Sequence, residues 1–331
     1  MHVTAVQAGP EGTHEADTDR PRVIRTSVTR GDKVFRTICT VAAASCLVII
    51  AGTAIFLFSR SIGPITSSGV WSFFTDSVWS PSTDRYGVGG LLVGTIIIAT
   101  IALVIAVPLA LGLALFINEY APHWVRRPLT TTVDLLAALP SLIFGLWGLE
   151  AFMGPLVGVA GWLNQHLDAI PFFRLSKAGA SMTQSSFIVG VVVAIMITPI
   201  VTSVSRDVMS QCPRNQCEGA LALGGSRWGM IRDVILPFGR GGIVGSVLLG
   251  FGRALGETMA IAIIVLLKTE ANPFILEEGG GSIAGFIAIK FGEAAEGERS
   301  GLIAAGFALF VVTLIVNLFA RRIVNRSRVA S

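Results

Sequence analysis

The sequence is poor in charge and in the residues that build catalytic or metal centres. Charged residues make up 14 % of the 331 positions, against about 25 % in soluble domains. There are four cysteines and four scattered histidines, and Cys212 and Cys217 have no histidine nearby. No G-x-x-x-x-G-K-[ST] loop, H-E-x-x-H helix or G-x-G-x-x-G turn after a strand occurs. We therefore expect no catalytic set, no metal site and no nucleotide site, and we expect the cysteines to have a packing role.

What the sequence has instead is hydrophobic residues, 52 % of the chain, gathered in long runs. Four runs contain no formal charge: Thr37–Phe58, Val88–Ile117, Ser185–Ser205 and Leu302–Ala320. A helix of about 20 such residues crosses a bilayer. The 37 glycines favour closely packed membrane helices. An all-β fold and a disordered chain are excluded.

Two further apolar stretches carry charges. Residues 129–153 include Asp134 and Glu150 near the ends, and residues 241–267 include Arg253 and Glu257 in the middle. Apolar spans tolerate charges that face a bundle interior or an aqueous path. We therefore predict an all-α polytopic membrane protein with short interfacial helices and six transmembrane helices. The six spans are residues 37–58, 88–117, 129–153, 185–205, 241–267 and 302–320.

The distribution of Lys and Arg predicts the orientation. Seventeen of the 25 lie in residues 1–36, 118–128, 205–240 and 321–331, which six spans place on one side. The positive-inside rule makes that side cytoplasmic. The chain is therefore expected to lie in the cell membrane with both termini in the cytoplasm. The excess of basic residues is therefore explained by membrane topology, and nucleic-acid binding is not required to explain it. We expect residues 1–36 to be a disordered cytoplasmic tail.

Three segments on the opposite side are apolar or aromatic but too short to span. They are Gly69–Trp79, Gly154–Leu167 and Ser282–Gly292. We interpret them as interfacial helices or plugs. Packing among the outer loops is the alternative.

The connection between the fourth and fifth spans, residues 212–240, predicts an exposed pair of helices. The first covers Glu218–Leu223, and Gly224 and Gly225 can supply the positive φ that closes it. Ser226 can cap a second helix over Arg227–Val234, which we expect Pro237 to end. The apolar residues Ala220, Leu221, Leu223 and Trp228 then favour a docking surface. A loop packed on itself is the alternative.

The same connection contains Glu218-Gly219-Ala220, then Gly224, then Val234-Ile235-Leu236-Pro237. In order and spacing this motif resembles the EAA loop of ABC importer permeases. Gly219 replaces the first Ala, at a cost of about 1 kcal/mol to the helix, and Val234 replaces the Ile. We call residues 212–240 the EAA loop.

Three other segments carry a second resemblance: Asn118–Pro122, Leu139–Leu149 and the run GFGRALGETMAIAIIVL that begins at Gly250. Together they are similar to PstC-type phosphate permeases. The resemblance covers about residues 35–325 and implies a type I importer permease domain over residues 37–325. It also implies inward transport of inorganic phosphate as half of a channel with a PstA-type permease. A PstS-type extracytoplasmic binding protein would deliver the anion.

The resemblance further implies that two PstB-type ATPases drive the cycle with ATP and Mg²⁺, and that this chain is no enzyme and binds no cofactor. The EAA loop would seat in an ATPase groove. Its coupling residues would be Glu218, Gly219, Ala220, Leu221, Gly224, Leu236 and Pro237.

The fifth span also carries a candidate substrate path, because Gly242, Ser246, Gly250, Arg253 and Glu257 fall on one helical face. The small residues allow a neighbouring helix to approach closely. We expect Arg253 to meet the passing phosphate, since its planar guanidinium matches phosphate oxygens, and Glu257 to be its resting counter-ion. A permanent structural pair is the alternative.

Other functions remain open. Composition does not distinguish phosphate from another oxyanion such as sulfate or molybdate. An ion-coupled secondary transporter would share the same apolar pattern, although no clear internal repeat is seen. An intramembrane enzyme or a structural scaffold would show no uptake at all, and the missing catalytic set disfavours the enzyme.

Overall fold

The computed structural model describes residues 29–177 and 179–329, which are mostly helical. The described residues form two compact units, the first ending at Thr53 and the second beginning at Ala54. The α-helices are α1 (Arg30–Ser68), α2 (Val70–Thr75), α3 (Gly89–Leu115), α4 (His123–Ala137), α5 (Ser141–Trp147), α6 (Met153–His166), α7 (Ser186–Ser210), α8 (Arg214–Ala222), α9 (Arg227–Met230), α10 (Leu236–Leu255), α11 (Met259–Ile264), α12 (Ile283–Lys290) and α13 (Glu296–Val329). Strands β1 (Trp79–Ser80) and β2 (Arg85–Tyr86) pair antiparallel.

Six helical segments of the described chain are long and apolar enough to cross a membrane, as the sequence predicts. Three of them contain a π-helical turn that joins consecutive α-helices or extends one. The six segments are Arg30–Ser68, Gly89–Tyr120, Ser141–His166, Ser186–Ser210, Arg227–Leu255 and Glu296–Phe319.

The first span begins earlier than predicted. Helix α1 starts at Arg30, so residues 30–36 are helical and do not belong to a tail. The Asp32 carboxylate accepts a hydrogen bond from the Thr29 amide at 3.1 Å and lies in the first turn, where it also complements the helix dipole. The remainder of the predicted tail, residues 1–28, lies outside the described residues.

The third span lies later in the chain than the predicted residues 129–153. Helix α4 ends at Ala137, and Pro140 adopts an extended conformation before α5. Proline disfavours helical geometry at the residue before it, so the run breaks at Leu139. The helical segment that is long and apolar enough to span is Ser141–His166, and most of Gly154–Leu167 continues that same helix. The prediction of a separate outer segment at Gly154–Leu167 is therefore wrong.

The fifth span is also displaced, from the predicted residues 241–267 to Arg227–Leu255. Pro237 does not end the helix: α9 continues through the π-turn Ile231–Ile235 into α10, and Pro237 occupies the first turn of α10. A missing amide is tolerated where the normal α-helical hydrogen bond is already interrupted. At the other end α10 stops at Leu255, and α11 is a separate short helix.

Helices α3, α7 and α10 form the centre of the second unit. Ala99, Ala102 and Ala106 of α3 are fully buried beside the apolar side chains of α7. Small residues at this spacing let two backbones approach closely. A glycine also lies at this contact, since a Cβ on Gly190 of α7 would be 2.5 Å from Ile101 Cγ2 of α3, so the prediction that glycines allow close helix packing is confirmed here.

Two of the predicted short outer helices are present, as α2 and α12. Ser282 Oγ accepts a hydrogen bond from the Gly285 amide at 3.0 Å and so caps α12. Ile283 and Phe286 of α12 are buried, and the Phe286 ring meets Trp79 edge-on at 4.9 Å between centroids. Helix α12 therefore packs against neighbouring segments. For this helix, that favours packing among the outer loops over an interfacial helix or plug.

Candidate functional site

The tip of the EAA loop is a helical hairpin closed by glycine. Gly224 has φ +84°, and its amide donates to the Leu221 carbonyl at 3.0 Å. A side chain at a positive φ is strained, so glycine suits this end of α8. Ser226 Oγ then accepts from the Gly229 amide at 3.1 Å and begins α9. Both the positive φ and the serine cap agree with the sequence prediction.

The apolar side chains of this tip are exposed. Leu223 is 92 % exposed and Trp228 is 59 % exposed, and Leu221 is also exposed. Glu218 and Gly219 lie on the exposed part of α8. Apolar groups gathered at a protruding turn are typical of a surface that another protein covers. The loop does not bury this tip against itself.

The base of the EAA loop, by contrast, is packed into the helix ends. Met230, Ile231 and Ile235 are buried together with Ala114 of α3 and Met209 of α7. Ala220 and Leu236 pack on the edge of the same cluster, whereas Pro237 is exposed. The base of the EAA loop is therefore close-packed against the ends of α3 and α7.

A polar network holds the neighbouring ends of α3, α4 and α7. The Asn118 side-chain amide donates to the Arg206 carbonyl at 2.9 Å, and Arg126 Nε donates to the Ile117 carbonyl at 2.8 Å. Arg206 forms an ion pair with Asp134 at 3.6 Å, and the Ser203 hydroxyl donates to Asp134 at 2.9 Å. This network joins α4 to α7 beside the EAA loop.

Arg206 is a residue that sequence reasoning missed. Its side chain is only 12 % exposed, and its Nη1 has no hydrogen-bond partner among the described residues. The sequence did contain one indication of such a residue, Asp134, because an ionised carboxylate in an apolar stretch requires a partner. Only the packing of α4 against α7 identifies that partner.

The small residues of α10 pack against α7 within this chain. Ser246 is fully buried, and its hydroxyl lies 2.7 Å from that of Ser205. A Cβ on Gly250 would lie 2.6 Å from Val201 Cγ2. Close approach of a neighbouring helix was expected, but the neighbour is α7. Ser246 and Gly250 therefore face an intrachain helix contact, which corrects their assignment to a substrate path.

Arg253 and Glu257 do not form the expected ion pair. Because α10 ends at Leu255, Glu257 lies beyond the helix and the i, i+4 geometry is lost. Glu257 is 5 % exposed, and its Oε1 accepts a hydrogen bond from the Ala260 amide in the first turn of α11 at 3.3 Å. The prediction of Glu257 as counter-ion is wrong.

Arg253 itself is exposed, and within residues 29–177 and 179–329 it has no ion pair or side-chain hydrogen bond. A guanidinium at the end of an apolar helix, with no carboxylate beside it, is able to bind an anion. Of the four residues predicted for a path, Arg253 alone retains that capacity.

On the side of the EAA loop, two thiols lie together. Cys217 Sγ is 3.7 Å from Cys212 Sγ. Burial, and then the neighbouring Cys217, raise the pKa of the Cys212 thiol to about 11. The part of the chain that the structure describes contains no cluster of three or more His, Cys, Asp or Glu with metal-site geometry.

At the opposite ends of α7 and α10, two outer loops are joined by Glu277. Its carboxylate accepts hydrogen bonds from the Ser176 amide and hydroxyl, both at 2.9 Å. Burial raises the pKa of Glu277, but the hydrogen bonds from Ser176, and then Lys268 and Lys177, outweigh burial and leave the pKa below its ordinary value. The charged carboxylate thus holds the two loops together.

Comparison with known proteins agrees with this geometry. Residues 106–329 match the family described as binding-protein-dependent transport system inner membrane component. The chain is similar to a structure of a bacterial ABC transporter involved in the import of the acidic polysaccharide alginate, with a TM-score of 0.54 and 20 % identity over 89 % of this chain and 99 % of that one. The fold is thus that of type I ABC importer permeases.

Curated relatives extend over nearly the whole chain. The phosphate transport system permease protein PstC 2 of Mycobacterium tuberculosis is 40 % identical over 89 % of this chain and 92 % of its own length. PstC of Haemophilus influenzae is 39 % identical over 89 % and 93 %, and PstC of Xylella fastidiosa strain 9a5c is 37 % identical over 90 % and 91 %. These relatives are permease proteins that form part of larger transport systems. The chain therefore belongs to the family of binding-protein-dependent transport system inner membrane components, in the group of the PstC permeases.

Proposed function

We propose that this chain is a channel-forming subunit that imports inorganic phosphate and is driven by a separate ATPase. The relatives that cover about nine-tenths of the chain are named phosphate transport permeases. The observation that carries the proposal is the EAA loop, whose tip exposes Leu223 while its base is packed into α3, α7 and α10. That arrangement suits a chain moved by another protein.

The proposed partners are a PstA-type permease, two PstB-type ATPases and a PstS-type extracytoplasmic binding protein. The ATPases would bind ATP and Mg²⁺, and this chain would contribute neither a nucleotide site nor a cofactor. The ATPase would contact Glu218–Leu221 and the turn at Gly224, with Leu236 and Pro237 behind them. Both termini and the EAA loop would then lie in the cytoplasm, as the Lys and Arg distribution predicts.

Energetics support an external power source. Moving a phosphate dianion inward against 100 mV costs about 4.6 kcal/mol, and each tenfold concentration gradient adds about 1.4 kcal/mol. A passive pore would let phosphate leave the cell. ATP hydrolysis coupled through the EAA loop supplies the required work.

Within this function, Arg253 is the proposed anion contact. It is exposed and has no carboxylate partner among the described residues, so its guanidinium can meet a phosphate without first breaking an ion pair. Glu257 instead stabilises the start of α11 and would position the segment after α10.

Uptake by the assembled transporter tests the function. Proteoliposomes that contain this chain with its co-purifying subunits should accumulate labelled phosphate only with ATP and the binding protein. Excess unlabelled phosphate should compete, and sulfate should not. Uptake blocked equally by sulfate would favour another oxyanion. Uphill uptake by this chain alone, abolished by an uncoupler, would favour an ion-coupled transporter.

The role of Arg253 is tested in the same assay. Arg253→Gln should lower phosphate uptake at least about tenfold, since a charge-assisted contact contributes about 1.5–3 kcal/mol. Arg253→Lys keeps the charge without the planar fork and should give an intermediate rate. Normal uptake by the Gln variant, at equal expression and ATPase content, would refute the assignment.

A further inference from the structure

A cavity of about 410 Å³ lies beneath the EAA loop, between the ends of α3 and α7 and the helices α8 and α9. Its size falls in the range of about 300–1,000 Å³ that small-ligand sites occupy. Arg126, Arg214 and Arg227 line it, each from a different helix: α4, α8 and α9. The α10 helix alone is about 30 Å long, so this cavity is separate from Arg253 at the far end of α10.

The three arginines around this cavity outnumber its carboxylates, so the lining keeps an excess of positive charge. Glu119 is the one carboxylate among the lining residues, and it forms no ion pair with any arginine of the described chain. Arg126 donates through Nε and Nη2 to the carbonyls of Ile117 and Asn118, which orients it but leaves its charge without a counter-ion. Arg214 and Arg227 are exposed and Arg126 is half-buried, so water screens part of their mutual repulsion, and an anion between them would lower it further.

We propose that this cavity binds a phosphate group, with Arg126, Arg214 and Arg227 as its ligands. Guanidinium donors match the tetrahedral oxygens of phosphate in paired hydrogen bonds. The same chemistry is offered by free inorganic phosphate and by the headgroup of an anionic phospholipid. The neighbouring helix α4 exposes Trp124, a residue type enriched at membrane boundaries, which is consistent with a lipid headgroup nearby.

A phosphate group in this position bridges three elements. It connects α8 through Arg214 and α9 through Arg227 to α4 through Arg126, and α4 is joined to α7 by the pair of Asp134 with Arg206. The occupied site therefore holds the EAA loop against the ends of the central helices. Free phosphate bound there would act as a regulator of the loop, and a bound lipid would act as its anchor to the membrane.

Cys217 reports occupancy, because it lines the cavity and is half-buried. The full-length chain is placed in lipid nanodiscs, where both faces are accessible, and the rate of modification of each cysteine by N-ethylmaleimide is followed by mass spectrometry. This reagent is uncharged, so ionic strength alters its reaction little. Cys39 and Cys46, which lie in the first unit, are internal controls.

One arm uses neutral phosphatidylcholine discs with sodium phosphate or with sodium chloride at matched ionic strength. The other arm uses discs that contain phosphatidylglycerol, without added phosphate. An anion at ten times its dissociation constant fills about nine-tenths of the sites, so the Cys217 rate should fall about tenfold in one of the arms. Protection in the first arm identifies free phosphate, and protection in the second identifies a headgroup.

Arg214→Gln combined with Arg227→Gln should abolish the protection. Arg232→Gln is the matched control, because Arg232 is exposed, lies 4.0 Å from Asp233 and does not line the cavity. Equal Cys217 rates in all arms, or full protection that persists in the double variant, would overturn the proposal. No transport is measured here, so this failure would leave the proposed import function intact.

Discussion

The contact between α10 and α7 offers a sharp test of the packing described above, through Gly242→Ala. A Cβ at position 242 would lie 2.5 Å from both methyl carbons of Val208 and 3.0 Å from its Cβ. Rotation of the valine cannot relieve this overlap, because its own Cβ is involved and β-branched side chains are stiff at χ1. The two helices must therefore move apart.

The magnitude follows from two opposing effects. Overpacking a close contact costs about 1–3 kcal/mol, whereas replacing glycine by alanine within a helix gains about 1 kcal/mol. The matched control is Gly245→Ala on the same helix, where nothing lies within 4 Å of the new Cβ. Gly245→Ala should be neutral or stabilising, and Gly242→Ala should be destabilising by up to about 2 kcal/mol, the difference between these two effects.

Thermal unfolding of the purified chain in detergent micelles, followed by circular dichroism, measures the effect. Val208→Ala should rescue Gly242→Ala, with a favourable coupling energy of about 0.5–3 kcal/mol in the double-mutant cycle. If Gly242→Ala and Gly245→Ala shift the midpoint alike, or if Val208→Ala adds to the loss without coupling, the close contact between α7 and α10 is refuted.

Two further predictions concern the two ends of the helix bundle. Leu223→Asp should reduce co-purification of the ATPase. It should leave the unfolding midpoint of the isolated chain unchanged, because Leu223 is 92 % exposed. A lowered midpoint with normal co-purification would contradict the docking role. Glu277→Gln should lower the midpoint at pH 7. The folded state lowers the pKa of Glu277, so its stabilisation is complete above the ordinary value of 4.5 and is lost as the pH falls through the folded-state pKa. The difference in midpoint between wild type and Glu277→Gln should therefore shrink below pH 4.5, and a difference that grows there would contradict the reasoning.

Local chemistry determined much of this protein without reference to tertiary structure. Six long apolar runs, four of them without a formal charge, predict six membrane helices because the bilayer requires their length and composition. The turn at Gly224 and the cap at Ser226 follow from a positive φ and from an unpaired amide at a helix start. These features depend on residues within a few positions of one another.

Helix boundaries inside apolar sequence required the structure. Hydropathy does not detect the break before Pro140 or the end of α10 at Leu255, since apolar residues continue across both. Nor does it show that Pro237 is accommodated after a π-turn. A shift of a few residues at Leu255 was enough to separate Glu257 from Arg253, because side chains four apart meet only on a continuous helix.

Partners distant in sequence were likewise decided by the tertiary structure alone. Arg206 meets Asp134 because α4 packs across α7, and Ser246 meets Ser205 because small residues bring α10 close to α7. The three arginines around the cavity come from separate helices. A sequence specifies which side chains carry charge and which segments are apolar, but the distance between two charges depends on how the helices pack.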